Sequence, residues 1–592
     1  MEEMKRTGTC GQYTQQDIGK AVTLNGWVHR NRDHGGIHFI DLRDRYGVTQ
    51  IVVDQDAGEQ LKAIASELKF EYCVAVDGLV RPRPREMINH DLPTGDIEVQ
   101  AMKIAVLSKC AVLPFMIDEK SDAREELRLE YRYLDLRSFS MQEKIRLRHR
   151  VVIALREYLD KKEFYEIETP TLIRSTPEGA RDFLVPSRLH PGKFYALPQS
   201  PQIFKQILMV SGFDRYFQIA HCFRDEDARG DRQLEHTQID IEMSFVSKED
   251  VFDVVEGMYH HIFADTLGFD LAVPFPRLTY DEAMNRYGSD KPDLRYGMEL
   301  KDFNEFVPES DFKIFKSVLD SGGSVRALVA QGCGSYSRKM IEALEEAAKI
   351  YGAKGLAWMK VTEGGLDGGI AKFFTSQQRT ILPYLDAHAG DLILVVADTW
   401  KVCCTSLGAV RSKLAHDLEL DTEGFRFCWI VDFPLFDWNE DEGKWDPAHH
   451  MFTMPQGQYL DVMESDPGAV KGDLYDLVCN GLELASGSIR IHDPDLQKRV
   501  FTILGISEEE AERRFGFLLK AFLYGPPPHG GIAPGLDRLL MIMTGESSIK
   551  EVIAFPKNTM GISPMDDSPS TVDGLQLKEL YLEPISPNHQ PE

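Results

Sequence analysis

Apolar and polar positions alternate over short spans in the first hundred residues. Residues 21–30 (AVTLNGWVHR), 37–44 (IHFIDLRD) and 48–54 (VTQIVVD) are β-rich and parted by turn-like residues. A helical pattern follows at 59–69 (EQLKAIASELK), and strands resume at 72–83 (YCVAVDGLVRPR) and 96–107 (DIEVQAMKIAVL). Three strands, a helix and two strands is the order of an OB-fold barrel. An SH3-like barrel or a meander would give the same pattern.

Residues 111–143 are charged and carry no long periodicity, so they read as a hinge. A helix is expected from near Met141, because Ile145, Val152, Leu155 and Leu159 share one face at helical spacing. Next comes FYEIETPTLI (164–173), a strand closed by Pro170. Between about 290 and 420 strands and a helix alternate, as in a small α+β unit. The charged texture before it returns at FRFCWIVDFPLF (425–436), as expected around an inserted domain. The expected division is 1–110, 111–143 (hinge), 144–289, 290–420 (insert), 421–560 and 561–592 (C-terminal extension).

Composition narrows the class. With 43% hydrophobic and 27% charged residues over 592 positions, the chain reads as several soluble globular domains. No apolar run approaches the ~18 residues of a membrane span, so no membrane partner is expected. The start lacks an apolar signal core, so no secretory signal is expected. Nine cysteines without a C-x-x-C pair suit a reduced cytoplasm and neither a zinc ribbon nor a redox motif. The net charge of −27 disfavours unspecific nucleic-acid binding, yet residues 1–110 hold 14 Lys and Arg against 16 Asp and Glu. That near balance makes the N-terminal segment the least repulsive place for a polyanion.

The candidate chemistry is concentrated in CFRDEDARGDRQLEHTQIDIEMSF (222–245), where three arginines stand among seven acidic residues. A bare phosphate site would want cations, a bare metal site carboxylates, and a solvated hairpin would also read this way. The glycine-rich stretches at 363–374 and 526–538 lack the G-K-[ST] of a P-loop and read first as turns. Asp476 and Glu483, seven apart, could be no more than a charged helix face.

Three stretches resemble the signature motifs of the class II aminoacyl-tRNA synthetases. They are KKEFYEIETPTL (161–172), FRDEDARGDRQLEHTQIDIEMSF (223–245) and GIAPGLDRLLM (531–541). With the N-terminal barrel pattern they resemble the aspartyl, asparaginyl and lysyl subgroup. TPEGARDF (176–183), ALPQSPQIFKQ (196–206), DPAHHMF (446–452) and YDLVCNGLELASGSIRIHD (475–493) resemble its bacterial-type aspartyl members. The likeness runs through the whole chain. One departure is Glu163, where the first motif often has Gly.

The resemblance implies a multidomain α+β fold: an OB-fold barrel that binds the anticodon and a catalytic domain built on an antiparallel sheet, with an α+β insert. It implies attachment of L-aspartate to tRNA through an aspartyl-adenylate, with ATP and Mg²⁺, by a homodimer whose first motif lies at a two-fold interface. The ionised α-carboxylate of aspartate attacks the α-phosphorus, so no general base is needed. The implied catalytic residues are Arg224, bridging α-phosphate and α-carboxylate, and Arg538, on the γ-phosphate. Asp225, Glu226, Gln233, Glu483, Gly535, Leu536 and Asp537 would join them around ATP, with Asp476 and Glu483 on the metal. Lys205 and Arg490 would grip the side-chain carboxylate, with Asp240 orienting one of them. Glu178 and Gln202 would take the α-ammonium, and His449 would close over it.

In the barrel, Phe39 and Gln50 match positions that stack on and read anticodon bases. Arg32, with Arg30, Arg81, Arg83 and Arg85, would supply local cations. His34, before Gly35-Gly36, stands where discriminating bacterial members tend to carry Leu. RDHGG resembles members that charge both tRNA(Asp) and tRNA(Asn), and Glu86 lies at a second position linked to that tolerance. The two anticodons differ by C or U at the third base, and a neutral imidazole can meet either edge. A catalytically inactive RNA- or partner-binding paralogue, and an asparaginyl enzyme, are the alternatives.

Overall fold

A computed structural model describes residues 5–118, 122–176, 180–420 and 423–583. The chain divides into two compact units, Met1–Arg146 with Lys550–Ser570, and Leu147–Ile549 with Thr571–Glu592.

The first unit holds the N-terminal barrel. Strands Ala21–His34, Ile37–Asp44, Gly47–Val53, Cys73–Pro82 and Ile97–Ser108 close on one another, with helix Glu59–Glu67 after the third. Closure comes from the long first strand, which pairs with the second at one end and the fourth at the other. Inward positions alternate along it, so Val22, Leu24 and Val28 meet Ile40, Ile51, Val76 and Val99 in one core. The OB-type order expected from the pattern is the order found. The stretch 111–143 is less bare than its sequence suggests, since it contains short helices Glu125–Glu130 and Arg132–Asp135. Tertiary pairing holds them: Arg128 binds Asp135 and Glu551, and Arg132 donates to the carbonyls of Lys550, Ile553 and Ala554. No periodicity announces a helix fixed by guanidinium contacts to a segment more than four hundred residues away. The following helix, Phe139–Lys161, is the one expected from near Met141.

In the second unit an eight-stranded sheet carries the chemistry. Its order is Arg277–Thr279, Phe427–Val431, Leu474–Cys479, Leu482–Ile489, His529–Pro534, Glu235–Ser244, Arg215–Phe223, Tyr165–Glu166. The pairings are antiparallel except at the two edges. The strand expected over 164–173 shrinks to two residues at one edge, where Pro170 offers no backbone donor. Behind the sheet, helix Lys248–Leu267 stacks Phe252 on Trp429 at 4.1 Å and accepts the Trp429 indole N–H at Glu256.

The chain leaves this sheet at Thr279 and re-enters it at Phe427. Between them it forms a separate antiparallel sheet: Lys301–Asp302, Ser324–Ala330, Leu392–Asp398, Ala357–Thr362, Gly365–Asp367. Every residue of Ser324–Ala330 is buried, because apolar clusters cover both faces of this sheet.

Candidate functional site

Strands Arg215–Phe223 and Glu235–Ser244 are the arms of the charged stretch, and residues 224–234 are the loop between them. The mixed charges therefore do not form a solvated hairpin face. They rim a cleft of about 400 Å³ over the middle of the sheet. The third motif supplies another wall: strand His529–Pro534 turns at Gly535 into helix Leu536–Thr544, which brings Arg538 and Asp537 to the cleft.

Four charges are sunk in one corner. Lys205 lies on helix Gln202–Val210, one turn from Gln202 on the same face. Asp240 and Glu242 are two apart on one strand and so point to one face. Arg490 follows strand Leu482–Ile489 directly. Lys205 Nζ lies 3.0 Å from Asp240 Oδ1 and 3.3 Å from Glu242 Oε2. Arg490 Nε reaches Glu242 Oε1 at 3.1 Å, and its Nη1 donates to Ser488 Oγ at 2.7 Å. All four are at most 4% exposed.

Burying four charges is costly unless each is paired, and these neutralise one another. Burial raises the Asp240 carboxyl, with Lys205 opposing. Burial works to raise Glu242 as well, but Arg490 and Lys205 together draw it below its usual value. Asp240 Oδ2, Gln202 Nε2 and Arg224 Nε are buried without a hydrogen-bond partner. Those three belong to residues lining the cleft, and unpaired buried polar atoms of this kind mark a place for a polar ligand. Sequence reasoning missed Glu242, which ties both cations together. Its signal was present in the alternation Asp240-x-Glu242.

Asp476 and Glu483 do not share a helix. They lie on strands Leu474–Cys479 and Leu482–Ile489, joined by a tight turn at Asn480-Gly481 with φ of 52° and 83°. Positive φ at both positions is what a type I′ hairpin asks for, and Asn-Gly supplies it. Both carboxylate oxygens of Asp476 are buried without a hydrogen-bond partner. Burial, reinforced by Glu483, drives its carboxyl upward, against the pull of His449. Burial also acts to raise Glu483, yet Lys291 and Arg538 overcome it and keep that carboxyl low. Among the described residues no group of three or more His, Cys, Asp or Glu could hold a metal. Two adjacent carboxylates fit a hard ion such as Mg²⁺, which Asp476 and Glu483 would hold to supply positive charge beside phosphates.

The remaining site residues divide by place. Glu226, Gln233, Gly535, Asp537, Arg538 and His449 line the cleft with Arg224. Arg538 donates to the Glu483 carbonyl at 2.9 Å and pairs with Asp231 at 3.1 Å. Asp537 accepts from the Thr237 N–H and from Arg148, so it ties strand Glu235–Ser244 and helix Phe139–Lys161 to the third-motif turn beside the cleft. Arg148 was not singled out in the sequence, and Asp231 stood there only as one acid of the charged stretch. His449 Nε2 lies 3.7 Å from Asp476 Oδ2, with its ring against Phe433, while His450 accepts from the Phe452 N–H. Asp225 and Leu536 are absent from the lining: Asp225 pairs with Arg181, and Leu536 is packed in the core. Their side chains leave the cleft wall to Arg224, Asp537 and Arg538, their neighbours in the chain. Glu178 lies outside the described residues.

On the barrel, Arg32 pairs with Phe39 across the first two strands, and Asp41 with Gln50 across the next two. Directly opposed residues share a face, so these form one patch. Phe39 is half-buried, its ring centre 5.9 Å from that of His34 in an edge-on arrangement, and His34 is exposed at the hairpin end. Gln50 Nε2 is held by Glu98 at 2.9 Å, and Arg32 by Asp41 at 2.9 Å. Arg81 is engaged by Asp54 and Glu98, and Arg83 is buried on the Ile97 carbonyl. Those two are scaffold, not free cations for phosphate. Glu86 is exposed on a short turn, Arg85–Met87.

The profile described as tRNA synthetases class II (D, K and N) matches residues 124–559, and that of an OB-fold nucleic acid binding domain matches 22–107. A curated aspartate–tRNA(Asp/Asn) ligase of Treponema denticola is 64% identical, over 98% of this chain and 99% of its own. An aspartate–tRNA ligase of Macrococcus caseolyticus is 51% identical, over 98% of both. Among solved structures, an asparaginyl-tRNA synthetase from Pyrococcus horikoshii with asparaginyl-adenylate superimposes with a TM-score of 0.59 at 20% identity, over 93% of this chain and 98% of its own, which speaks for the fold.

Proposed function

The chain belongs to the class II tRNA synthetases of the D, K and N group, and we propose that within it this enzyme attaches L-aspartate to tRNA(Asp) and to tRNA(Asn). One observation carries the amino-acid choice: Lys205 and Arg490, two buried cations, converge on the floor of the cleft. A planar carboxylate can meet the Arg490 fork and the Lys205 ammonium together. Asparagine would turn an NH₂ toward cations and leave them unpaired, a mismatch worth ~10⁴-fold or more in sites of this kind. Asp240 and Glu242 hold the two cations in place and stop them collapsing onto other groups.

In the first step an α-carboxylate oxygen of aspartate attacks the α-phosphorus of ATP, and pyrophosphate leaves. Arg224, whose Nε lacks a partner, would bridge the two anions and meet the charge growing on phosphate oxygens. Arg538 would hold the far phosphates. Mg²⁺, held by Asp476 and Glu483, would neutralise phosphate charge there. Gln202, with its orphaned amide, would orient the aspartate ammonium. A terminal ribose hydroxyl of tRNA then displaces AMP from the adenylate and takes the aspartyl group.

The barrel patch around Phe39, Gln50 and Arg32 would receive the anticodon, with His34 tolerating either C or U at its third base. The edge strand at 165–166, which pairs on one side only among the described residues, supports a two-fold homodimer through the first motif. Aspartate-dependent ATP–pyrophosphate exchange tests the amino acid, and charging of paired tRNA(Asp) and tRNA(Asn) transcripts tests the tRNA range. Exchange with asparagine but not aspartate overturns the reading. Charging of tRNA(Asp) alone removes the dual specificity. Sedimentation at 67.2 kDa at micromolar concentration removes the dimer.

A further inference from the structure

Lys291 was singled out by no motif, yet it makes a short ion pair with the site: its Nζ lies 2.7 Å from Glu483 Oε2. It sits in the connection between helix Tyr280–Tyr287 and strand Lys301–Asp302, where the chain leaves the catalytic sheet for the interposed α+β unit. Two contacts set that connection. The hairpin tip packs on it so closely that a Cβ at Gly481 would touch Asp293 Cβ at 3.4 Å. Arg411, on helix Trp400–Asp417 of the interposed unit, is buried and donates to the carbonyls of Asp293, Tyr296, Gly297 and Met298 at 2.8–3.2 Å. The rings of Tyr287 and Tyr296 flank its guanidinium at 5.0 and 4.2 Å. One planar fork spread over four carbonyls fixes a loop that has no ladder of its own.

We propose that Lys291 is a mobile cation of this site. It neutralises Glu483 while no divalent ion is bound and moves to the nucleotide phosphates when one is, and Arg411 is the positioning residue that keeps it within reach. The inference rests on the synthetase reading above and goes beyond it. Two features separate Lys291 from the fixed cation Lys205. Its side chain is 37% exposed, against 1%, so it has room to move. It also meets a carboxylate that a divalent ion would claim, and an ammonium beside that ion would be repelled toward the nearest anion. A flexible four-carbon stem ending in three donors suits a point-charge contact with phosphate. The interposed unit thereby gains a part in the chemistry through a single buried guanidinium.

The test uses the full-length enzyme, Lys291→Met and Lys291→Arg. Mn²⁺ affinity without nucleotide is read by electron paramagnetic resonance, and affinity for a magnesium-loaded non-hydrolysable ATP analogue by calorimetry. For Lys291→Met the two should move in opposite directions: Mn²⁺ alone binds at least threefold tighter, because its competitor is gone, and the analogue about tenfold weaker, a loss of ~1.4 kcal/mol. Lys291→Arg should stay near wild type in both. Arg411→Lys should shift both affinities as Lys291→Met does. Affinities that do not move, or that weaken together, overturn the mobile cation. An Arg411→Lys enzyme with both affinities unchanged overturns the brace. Failure of the wild-type enzyme to bind the magnesium-loaded analogue would sink the synthetase reading instead, and is visible separately.

Discussion

Single side chains decide the amino-acid pocket. Arg490 offers Glu242 a planar fork and would offer the proposed aspartate carboxylate the same, which a lysine cannot copy. Arg490→Lys should lower kcat/KM for aspartate by about 10–100-fold, the equivalent of one charged hydrogen bond of ~1.5–3 kcal/mol, with less effect on the KM for ATP. Aspartate-dependent pyrophosphate exchange measures it, and an unchanged value would remove Arg490 from the pocket. His529 shows the opposite economy. It is fully buried, donates from Nδ1 to the Pro527 carbonyl, and burial keeps its pKa below the ordinary value, with Glu242 pulling the other way. A histidine depressed in the fold stays neutral while the unfolded chain takes up a proton. Its stability contribution is therefore present above the unfolded pKa of about 6.5 and lost as pH falls below it. Urea unfolding at pH 7.5 and 5.5 should show a falling midpoint, less steep in His529→Gln. Equal slopes for both proteins would refute the assignment.

At the scale of elements, close approach of strands places the pocket. Gly531, on the third-motif strand, stands opposite Glu242 in the ladder, and a Cβ there would overlap Glu242 Oε2 and the Ile241 carbonyl. Gly531→Ala should displace Glu242, disturb Lys205 and Arg490 together, and raise the KM for aspartate about tenfold or more, as losing one charged pairing of ~1.4 kcal/mol would. Steady-state exchange at saturating ATP measures this, and a normal KM would show that the strand yields instead. After helix Phe139–Lys161 the chain turns through Glu163 at φ 64°, a conformation glycine adopts freely and glutamate does not. Glu163→Gly should stabilise the fold by about 0.5–1 kcal/mol, read as a higher urea midpoint, while exchange activity stays put. A lower midpoint would mean that the glutamate side chain contributes more than the strain costs. The departure noted in the sequence thus falls on a turn.

Over the whole molecule, charge is divided unevenly. The barrel region is near balance while the full chain is at −27. Binding of tRNA then depends on local cations against a repulsive remainder. Raising salt from about 50 to 200 mM should raise the KM for tRNA several-fold and leave aspartate-dependent exchange nearly constant, because screening acts on exposed charge and spares buried pairs. Charging and exchange assays across the same salt series measure the split, and parallel curves would argue against it.

The sequence by itself determined the order of strands and helix along the N-terminal barrel and the charged residue types at 222–245, while the roles of those residues and of Arg538 came from the resemblance to the class II motifs. The order and the residue types are legible because alternation, tight turns and charged side chains at fixed spacing act over a few residues. Only the tertiary structure decided which charges meet. Glu242 ties Lys205 to Arg490, the Asn480-Gly481 hairpin sets Asp476 and Glu483 on adjacent strands, and Lys291 reaches Glu483 from a loop clamped by Arg411. The same packing buried Leu536 and paired Asp225 with Arg181. The physical reason is range: the pairings of Glu242 and Lys291 join positions far apart in the chain, and burial, which makes them strong, is a property that no local pattern carries. The Asp476–Glu483 hairpin is local, and its Asn-Gly signal was there to be read.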